Sequence, residues 1–307
     1  MNDVSIVTTM YYSKDYLQEF YDRTISIIKE LNLSYEFILV DDGSPDDSLL
    51  TSIQLQNTDS NIKIIELSRN FGHQRAIMTG LQYASGKLVF LIDCDLEESP
   101  ELLKDFWHRM ITQPNLDVVY GVQLKRKGGW FERLSGRLFY KTLSALSPVH
   151  YPADTLTARI MSRNYVDSII KFQEKELDLW GIFALAGFNQ QSISVHKGHR
   201  GVSTYTLNKR VKRALEIITS FSHRPLYLTF ILGVVSFIIA FINIAVIAYK
   251  KMMLNVDVEG WASILASIWL VGGMILLVLG IFGIYLSKMF LEIKNRPLTI
   301  VRNVHTK

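Results

Sequence analysis

Apolar residues in the first 120 positions fall into short continuous runs that alternate with segments of helical spacing. The short runs have the length and composition of buried strands, whereas the longer segments gather their apolar residues on one helical face. This alternation, with short links, predicts an open and mostly parallel sheet of the α/β class. The predicted strands are residues 4–9, 37–40, 62–67, 88–92 and 118–120, and the predicted helices are residues 16–31, 73–84 and 100–111.

Two much longer apolar runs lie in the last third of the chain. Residues 226–249 and 261–287 contain no charged side chain, and a helix of either length exceeds a hydrocarbon core of about 30 Å. Tyrosine or tryptophan stands near the ends of both runs, as in an aromatic belt. A pair of buried core helices is the weaker alternative for two runs of this length. We therefore expect two C-terminal transmembrane helices.

Basic residues flank these runs unevenly. Five lie between Lys209 and Arg224, four lie between Lys288 and Arg302, and the link between the runs carries two. The positive-inside rule then predicts a multi-pass protein of the inner (plasma) membrane, with the N-terminal domain and both termini in the cytoplasm. The single cysteine, Cys94, agrees with a reducing compartment and rules out an intramolecular disulfide.

The segment before the first apolar run has a character of its own. Residues 209–222 combine apolar positions at helical spacing with basic side chains, which is typical of a helix lying on an anionic membrane surface. An ordinary surface helix is the alternative. The predicted division is a domain over residues 1–208, an interfacial helix over 209–225, a two-helix transmembrane anchor over 226–287 and a cytoplasmic basic tail over 288–307.

The net charge of +4 conceals three segments of different balance. Residues 1–122 carry 9 basic and 19 acidic side chains, residues 123–225 carry 17 and 7, and the remainder carries 7 and 3. Such asymmetry points to partners of opposite charge. The hydrophobic content of 49% excludes a disordered chain. No nucleic-acid partner is expected, because the chain has apolar spans and no nucleic-acid-binding motif.

Acidic residues stand directly after two of the predicted strands. Asp41 and Asp42 end one strand, and Asp93 and Asp95 end another. In open α/β sheets, ligands bind beyond the carboxyl ends of the strands. Two carboxylates spaced i, i+2 at such a place can hold Mg²⁺ or Mn²⁺ together with substrate phosphate oxygens. A solvated acidic turn is the alternative for each pair.

These motifs occur in an order that resembles family 2 glycosyltransferases of the GT-A fold. The segments that carry the resemblance are 4–7, 40–44, 67–72, 92–96 and 100–101, with the sequences VSIV, VDDGS, LSRNFG, IDCDL and PE. With two C-terminal spans, the chain is similar to the polyprenyl-phosphate glycosyltransferases, relatives of dolichol-phosphate mannose synthase and of bactoprenol-phosphate glucosyltransferases. The resemblance implies a nucleotide-binding GT-A (Rossmann-like) domain, and it allows a homo-oligomer.

The resemblance also implies roles for the acidic residues. Asp41 and Asp42 would contact the nucleotide donor, and Asp93 and Asp95 would hold both the metal ion and the diphosphate. Glu97 stands where relatives often have glutamine near the metal, and its carboxylate could ligate as well. The predicted cofactor is accordingly Mg²⁺ or Mn²⁺.

A further family segment, Asp-x-Gly-Asp-Phe-Arg-Leu, appears here as residues 154–160. Asp154 and Arg159 remain, whereas the glycine, the second aspartate and the phenylalanine are replaced. Asp154 matches the proposed catalytic or acceptor-side aspartate, and the altered neighbours leave the sugar and the acceptor open. The expected catalytic residues are Asp154, Asp95 and Arg159.

A basic stretch after the fifth predicted strand corresponds to the region that grips the lipid phosphate in relatives. Arginine presents a planar fork to phosphate oxygens and lysine presents a point charge. A solvated or membrane-surface basic face is the alternative for any single residue. The residues that the resemblance implies for the acceptor phosphate are Lys125, Arg126, Arg133, Arg137, Arg200, Ser203 and Lys209.

The expected reaction is an inverting, metal-dependent transfer of a sugar from a nucleotide diphosphate sugar to a polyprenyl (undecaprenyl) phosphate. It would take place at the cytoplasmic membrane face, for synthesis or modification of cell-envelope polysaccharide. Transfer to a hydroxyl of a lipid-linked oligosaccharide and a non-catalytic membrane scaffold stay open as alternatives. The residues for which packing or ordinary polarity is the simpler explanation are His73, His196, Trp107, Trp180, Phe183 and Cys94.

Overall fold

The computed structural model describes residues 2–123, 155–195, 224–254 and 260–307. They belong to two units: the first contains 2–123, 155–195 and 296–307, and the second contains the remainder. The strands of the first unit are β1 (Val4–Met10), β2 (Tyr35–Asp41), β3 (Ile62–Leu67), β4 (Leu88–Leu91), β5 (Val118–Gln123), β6 (Thr155–Ser162), β7 (Gln190–Val195) and β8 (Val301–His305). Its helices are α1 (Lys14–Glu30), α2 (Ser48–Thr58), α3 (His73–Tyr83), α4 (Leu102–Thr112), α5 (Arg163–Ile169) and α6 (Leu179–Leu185). The second unit contains α7 (Arg224–Leu254) and α8 (Trp261–Ile293).

The strands in the described part of the chain form one sheet in the order β7-β5-β6-β4-β1-β2-β3-β8. The pairs β1–β2, β1–β4, β2–β3 and β5–β7 are parallel, and the pairs β4–β6, β5–β6 and β3–β8 are antiparallel. The predicted α/β class with a mostly parallel sheet is confirmed. The strand order reverses between β1 and β4, and such a reversal is where open α/β sheets bind ligands.

Both faces of the central strands are buried, which explains their continuous apolar sequences. Phe37 and Leu39 of β2 pack in a cluster with α1, α2 and α4, whereas Ile38 and Val40 pack on the opposite face with α3, α5 and α6. All four side chains are fully buried. Burial of each such side chain contributes about 1.5–3 kcal/mol, so these two clusters fix the strands whose ends carry the candidate site.

The predicted strands and helices of the first 120 residues are confirmed, with ends that differ by at most three residues. Helix α2 follows the turn at residues 41–45, where the sequence DDGSP indicates a helix start without bounds. Its buried residues include Ser48, Ser52 and Gln56 beside Leu55, so its apolar face is weak. Strands β6 and β7 and helices α5 and α6 lie between residues 121 and 208, where the sequence pattern predicts no element. The strand signal there is weakest for β7, which is largely polar.

The segment predicted as a cytoplasmic basic tail contains structure that the sequence does not predict. Helix α8 continues to Ile293, and β8 pairs antiparallel with β3 at the edge of the sheet. The amide of Ser68 also donates to the carbonyl of Ile300 at 2.9 Å. The sequence does not predict β8 because VRNVH is short and polar, and its strand structure depends on pairing with the edge of β3.

The second unit consists, in its described part, of α7 and α8. Within those residues the segment Ser267–Ile293 of α8 is long and apolar enough to cross a membrane, and Thr229–Asn243 of α7 is a shorter apolar stretch. Large apolar side chains are exposed, among them Phe237 at 72% and Trp269 at 76%. Length and composition therefore support one of the two predicted spans. Residues 209–223 of the predicted interfacial helix lie outside the described residues.

Candidate active site

The carboxyl ends of β1, β2 and β4 lie at one edge of the sheet, beside the reversal of strand order. Met10 at the end of β1 is paired with Asp41 at the end of β2. Strand β4 ends at Leu91, two residues before Asp93. The predicted placement of both aspartate pairs after parallel strands at this edge is confirmed. Their surroundings differ, and the differences decide what each side chain can do.

Asp41 is the last residue of β2 and is only 3% exposed. Its Oδ1 accepts a hydrogen bond from the amide of Ser44 at 3.2 Å. Burial, reinforced by the negative charges of Glu66, Asp42 and Asp46, raises the pKa of Asp41 to about 6. A carboxyl group with a strongly raised pKa at the ligand-binding edge of a sheet is a candidate for ligand contact.

Asp42, which the sequence predicts to contact the donor, is bound on both carboxylate oxygens by backbone amides. It is 2% exposed, and its Oδ1 and Oδ2 accept hydrogen bonds from the amides of Phe71 at 2.7 Å and Gly72 at 3.0 Å. Burial raises its pKa, and these two amides oppose the rise. Because both oxygens bind backbone groups, Asp42 anchors the turn that leads into α3. Next to it, Gly43 has a φ of +64°, and a Cβ there would lie 2.6 Å from the carbonyl carbon of Arg69.

Asp93 is held by side chains and stays partly open, with its side chain 25% exposed. Its Oδ2 accepts a hydrogen bond from the hydroxyl of Thr157 on β6 at 2.8 Å. Its Oδ1 lies 3.4 Å from Nε2 of His73, and Nδ1 of the same ring lies 3.1 Å from the hydroxyl oxygen of Thr9. Side chains from β1, α3 and β6 thus converge with Asp93 at the reversal of strand order.

His73 is a site residue that its sequence spacing does not reveal. The expectation of an ordinary polar residue rests on the lack of a partner at metal-ligand spacing, and its partners Thr9 and Asp93 are 64 and 20 residues away. Topology brings them together, because α3 begins at His73 and connects β3 to β4 across β1. The sequence feature that could have revealed this role is the position of His73 at the start of the helix that leads to β4, next to the reversal of strand order.

Asp95 and Glu97 do not form the predicted three-carboxylate metal site with Asp93. Oδ1 of Asp95 accepts a hydrogen bond from the amide of Glu97 at 2.9 Å, and Leu96 between them has a φ of +60°. Among the described residues, no three His, Cys, Asp or Glu side chains gather at metal-binding distance. The pair Asp93 and Asp95 still fits Mg²⁺ or Mn²⁺, because these ions often take one or two carboxylates and complete their shell with water and substrate phosphates.

Glu98 is a second residue that no motif reveals. It is 2% exposed, and its two carboxylate oxygens accept hydrogen bonds from the amides of Thr157 at 3.0 Å and Ala158 at 2.6 Å. Strand β4 has already ended opposite this part of β6, so Glu98 supplies acceptors that β4 no longer offers. The loop with the aspartate pair is thereby bound to the start of β6. Only tertiary structure shows this, since 59 and 60 residues separate the partners.

The catalytic role predicted for Arg159 is not supported by its position. Arg159 is 2% exposed, and its guanidinium donates to the carbonyls of Leu156 at 3.1 Å and Thr157 at 3.3 Å. It also lies 3.8 Å from the ring centre of Phe183 and 4.8 Å from that of Trp180. Burial lowers the pKa of Arg159 to about 10, so the group stays cationic at neutral pH. Arg159 fastens β6 to α6, and packing roles for both aromatic residues are confirmed.

Cys94 is a core residue, as predicted. It is 2% exposed, its Sγ donates to the carbonyl of Thr9 at 3.2 Å, and burial raises its pKa to about 11. Trp107 of α4 is partly buried against the same apolar cluster, so its predicted packing role is also confirmed. The two residues therefore contribute to the face of the sheet that carries α1, α2 and α4.

The residues predicted to contact the acceptor stay predictions, because they lie outside the described residues. The described chain ends at Gln123 and begins again at Thr155, and a second gap covers 196–223, which includes His196. Thr155 is the first residue of β6 and directly follows position 154. The predicted residues in these gaps are Asp154, Lys125, Arg126, Arg133, Arg137, Arg200, Ser203 and Lys209.

Solved structures with a similar arrangement are remote in sequence. Glucosyl-3-phosphoglycerate synthase from Mycobacterium tuberculosis, in complex with uridine diphosphate, is 18% identical with a TM-score of 0.49 and covers 71% of this chain and 79% of its own. Mannosyl-3-phosphoglycerate synthase from Rubrobacter xylanophilus is 16% identical with a TM-score of 0.47, over 70% and 72% of the two chains. At such values the ligands of those enzymes say nothing about the ligands of this chain.

Relatives in sequence cover nearly the whole chain. A protein of Mycobacterium tuberculosis (strain CDC 1551 / Oshkosh) described as a glycosyltransferase is 41% identical over 98% of this chain and 88% of its own. The uncharacterized glycosyltransferase YkcC of Bacillus subtilis (strain 168) is 34% identical over 97% and 93%. The SfII prophage-derived bactoprenol glucosyl transferase of Shigella flexneri is 29% identical over 98% of both chains.

The family profile of Glycosyl transferase family 2 matches residues 5–170. This range contains both aspartate pairs and ends one residue after α5, so it spans the part of the sheet that carries the candidate site. Sheet order, site position and relatives agree with the resemblance that the motifs predicted. The chain is a glycosyltransferase and belongs to Glycosyl transferase family 2.

Proposed function

We propose that this enzyme transfers a sugar from a nucleoside diphosphate sugar to a polyprenyl phosphate at the cytoplasmic face of a membrane, with the help of Mg²⁺ or Mn²⁺. The similarity to a bactoprenol glucosyl transferase over 98% of both chains carries this proposal, because it includes the region of the two long C-terminal helices. The position of Asp93 at the reversal of strand order supports a phosphate-bearing donor at that edge.

On the donor side, Asp41 and the pair Asp93 and Asp95 would divide the nucleotide sugar between them. Asp93 and Asp95 would hold the divalent ion, which when bound would supply positive charge for the departing nucleoside diphosphate. Thr157 and His73 orient the carboxylate of Asp93. Asp41 would accept a hydrogen bond from the nucleoside, as its counterpart does in the family. Asp93 and Asp95 fit a divalent ion because their carboxylate oxygens are hard ligands near the ligand-binding edge of the sheet. The side chain of Asp93 is also partly open to solvent.

On the acceptor side, the chemistry asks little of a general base. A phosphate monoester carries a charge near −2 at neutral pH because its second pKa is about 6, so the attacking oxygen is already an anion. The predicted basic residues would position it by charge and by hydrogen bonds. Asp154 would orient one of these cations. A single direct displacement inverts the anomeric carbon, and an NMR assignment of the product that showed retention would contradict this proposal.

The proposal includes two membrane spans, and the sheet itself supports the second one. Strand β8 follows α8 in sequence and pairs with β3, which precedes α7. If α8 crosses a membrane once, the chain must cross once more to return to the side where β3 lies. Helix α7 has 31 residues, which at about 1.5 Å per residue exceeds a hydrocarbon core of about 30 Å. A hairpin of α7 and α8 would then leave the segments before and after it on one side of the membrane, which the positive-inside rule predicts to be the cytoplasm.

The test is transfer in a defined membrane. Full-length protein in nanodiscs would be incubated with undecaprenyl phosphate and a panel of labelled nucleotide sugars, with Mg²⁺, with Mn²⁺ and with a chelator. We expect a glycolipid that mild acid hydrolyses, formed only with a divalent ion. No transfer from any donor to any lipid acceptor would favour the scaffold alternative.

Transfer to a sugar hydroxyl is the outcome that would replace this proposal. A hydroxyl acceptor needs a base, so product would appear only when an oligosaccharide-lipid is added, and Asp154→Asn would abolish turnover. With a phosphate acceptor, Asp154→Asn should retain measurable turnover. The two acceptors are therefore separated by the added lipid and by one variant.

A further inference from the structure

A row of paired residues runs across the sheet from Asp41 on β2 to the C-terminal strand β8. Asp41 on β2 is paired with Glu66 on β3, and Glu66 is paired with Asn303 on β8. Residues that stand opposite one another in neighbouring strands project from the same face of the sheet. Glu66 is 7% exposed, and its charge contributes to the raised pKa of Asp41. The last residues of the chain thus lie two strands from a predicted nucleotide contact.

Strand β8 supplies three side-chain partners to the carboxylate of Glu66. Nη1 of Arg302 donates to Oε1 at 3.0 Å, Nδ2 of Asn303 donates to Oε2 at 3.1 Å, and Nε2 of His305 lies 3.2 Å from Oε2. These contacts lower the pKa of Glu66 against the effect of burial. A buried carboxylate is tolerated when it is paired in this way. Within the described contacts of Glu66, Arg302 brings a full positive charge.

The same strand also braces the loop after β3. Nη2 of Arg302 donates to the carbonyl of Ser68 at 2.9 Å. Just before β8, the hydroxyl oxygen of Thr299 lies 2.7 Å from that of Thr79 in α3. The loop continues to Phe71 and Gly72, whose amides bind Asp42. The C-terminal segment therefore contacts both the charged neighbour of Asp41 and the turn that is anchored by Asp42.

We propose that strand β8 is part of the nucleotide half of the active site, in which Arg302 and Glu66 are positioning residues for binding of the nucleoside diphosphate. The inference rests on the proposed donor chemistry and adds to it a segment that the family profile, which ends at residue 170, does not include. Without Arg302, the negative charge of Glu66, which is paired with Asp41 across the sheet, would no longer be balanced by the arginine cation. The excess negative charge would then repel an anionic donor.

The experiment uses full-length protein in nanodiscs and measures two quantities. One is the Kd for uridine diphosphate and for guanosine diphosphate with Mn²⁺ by calorimetry, and the other is the separation of donor KM from kcat. Arg302→Ala should raise the Kd and the donor KM about fivefold, with kcat changed less than twofold. Arg302→Lys should retain most of the affinity. The double variant Arg302→Ala/Glu66→Gln should return the Kd to within about twofold of the parent, because the uncompensated charge is gone.

Lys307→Ala is the matched control, because it removes the same charge from the end of the same segment. Nζ of Lys307 donates to the carbonyl of Asn57 at 2.8 Å and not to Glu66. This variant should bind nucleotide within about twofold of the parent. Slow amide hydrogen exchange in β3 would show that β8 stays docked in Arg302→Ala.

Several outcomes would overturn the inference. Equal losses in Arg302→Ala and Lys307→Ala would show a general effect of charge, and a loss of kcat with an unchanged donor KM would place Arg302 elsewhere in the reaction. Failure of Glu66→Gln to rescue would refute the charge argument. If the parent protein binds no nucleoside diphosphate, the proposed function fails as well. If the parent binds one and the variants bind it equally, only the role of β8 is refuted.

Discussion

Asp42 and Asp93 stand at the same edge of the same sheet, but they are held in different ways. Both oxygens of Asp42 accept hydrogen bonds from backbone amides, and the residue is 2% exposed. Asp93 is held by the side chains of Thr157 and His73, and its own side chain is 25% exposed. A motif of two acidic residues after a strand describes both places equally well, so the motif alone does not separate them.

The difference lies in what the partners can do when a ligand arrives. Backbone amides are fixed by the fold, so a carboxylate that satisfies them cannot leave without exposing buried donors. Side-chain partners can turn aside at small cost, and they leave oxygens that a cation can use. Asp42 and Glu98 therefore belong to the framework of the site, whereas Asp93 is available for binding.

The largest expected effect is on Asp93. Asp93→Asn removes a negative charge that we expect to hold the divalent ion, so turnover should fall by about 100-fold or more. The free energy of unfolding should change by less than about 1 kcal/mol, because the amide oxygen can still accept from Thr157. Steady-state kinetics and Mn²⁺ affinity by electron paramagnetic resonance would check this. Asp22→Asn, the same change at an exposed position, is the control. Normal Mn²⁺ affinity in Asp93→Asn would contradict the comparison.

Asp42→Asn should show the reverse pattern. The asparagine keeps one acceptor but directs an NH₂ group at the second amide, so the free energy of unfolding should fall by about 1–3 kcal/mol. Mn²⁺ affinity of the folded fraction should stay within about twofold of the parent. Thermal unfolding and the same resonance titration would measure both. A variant that keeps its stability and loses Mn²⁺ binding would remove the distinction between the two aspartates.

What the sequence predicts correctly in these regions is local. Continuous apolar runs locate the strands, and the residues that follow each run locate the two aspartate pairs at the ligand-binding edge. The sequence cannot separate Asp42 from Asp93, because their partners come from distant segments such as Gly72 and Thr157. Burial of Arg159 is hidden for the same reason, since arginine is usually exposed and its aromatic partners lie in α6.

The C-terminal strand shows a second limit of sequence patterns. Its sequence, VRNVH, is largely basic or polar and follows two apolar helices, so the sequence predicts only a basic tail. Its structure is decided by β3, which carries Glu66 as the partner for Arg302, Asn303 and His305. Pairing of this kind depends on two segments more than 200 residues apart and has no periodicity of its own.

A smaller effect is expected at Asp41, and it depends on pH. The pKa of Asp41 in the folded protein is about 6, above its value of about 3.9 in an unfolded chain. The folded state therefore binds this proton more tightly, and ionisation lowers stability above pH 6. The loss is relieved as the pH falls from about 6 to about 4. Asp41→Asn should raise the free energy of unfolding by about 1 kcal/mol at pH 7.5, allowing for solvent screening, and by almost nothing at pH 4.

Thermal unfolding of parent and variant at the two pH values would measure this difference. The same variant should bind uridine or guanosine diphosphate more weakly, because it loses a charged acceptor. An equal gain in stability at both pH values would show that charge is not the cause. Asp22→Asn, which changes an exposed carboxylate, should leave stability the same at both pH values to within a few tenths of a kcal/mol.

The smallest effect is expected at Cys94, which lies between Asp93 and Asp95 and nevertheless faces the core. The residue is 2% exposed and packs with the apolar cluster on the face of the sheet that carries α1, α2 and α4. Iodoacetamide should therefore not label the thiol in the folded protein or change kcat/KM. Unfolded protein should be labelled fully. Cys94→Ala should lower stability by about 1 kcal/mol with kcat/KM within about twofold of the parent. If iodoacetamide inactivated the enzyme and a nucleotide sugar prevented this, the thiol would be accessible from the ligand side. The loop that carries Asp93 and Asp95 would then not separate the ligand from the core.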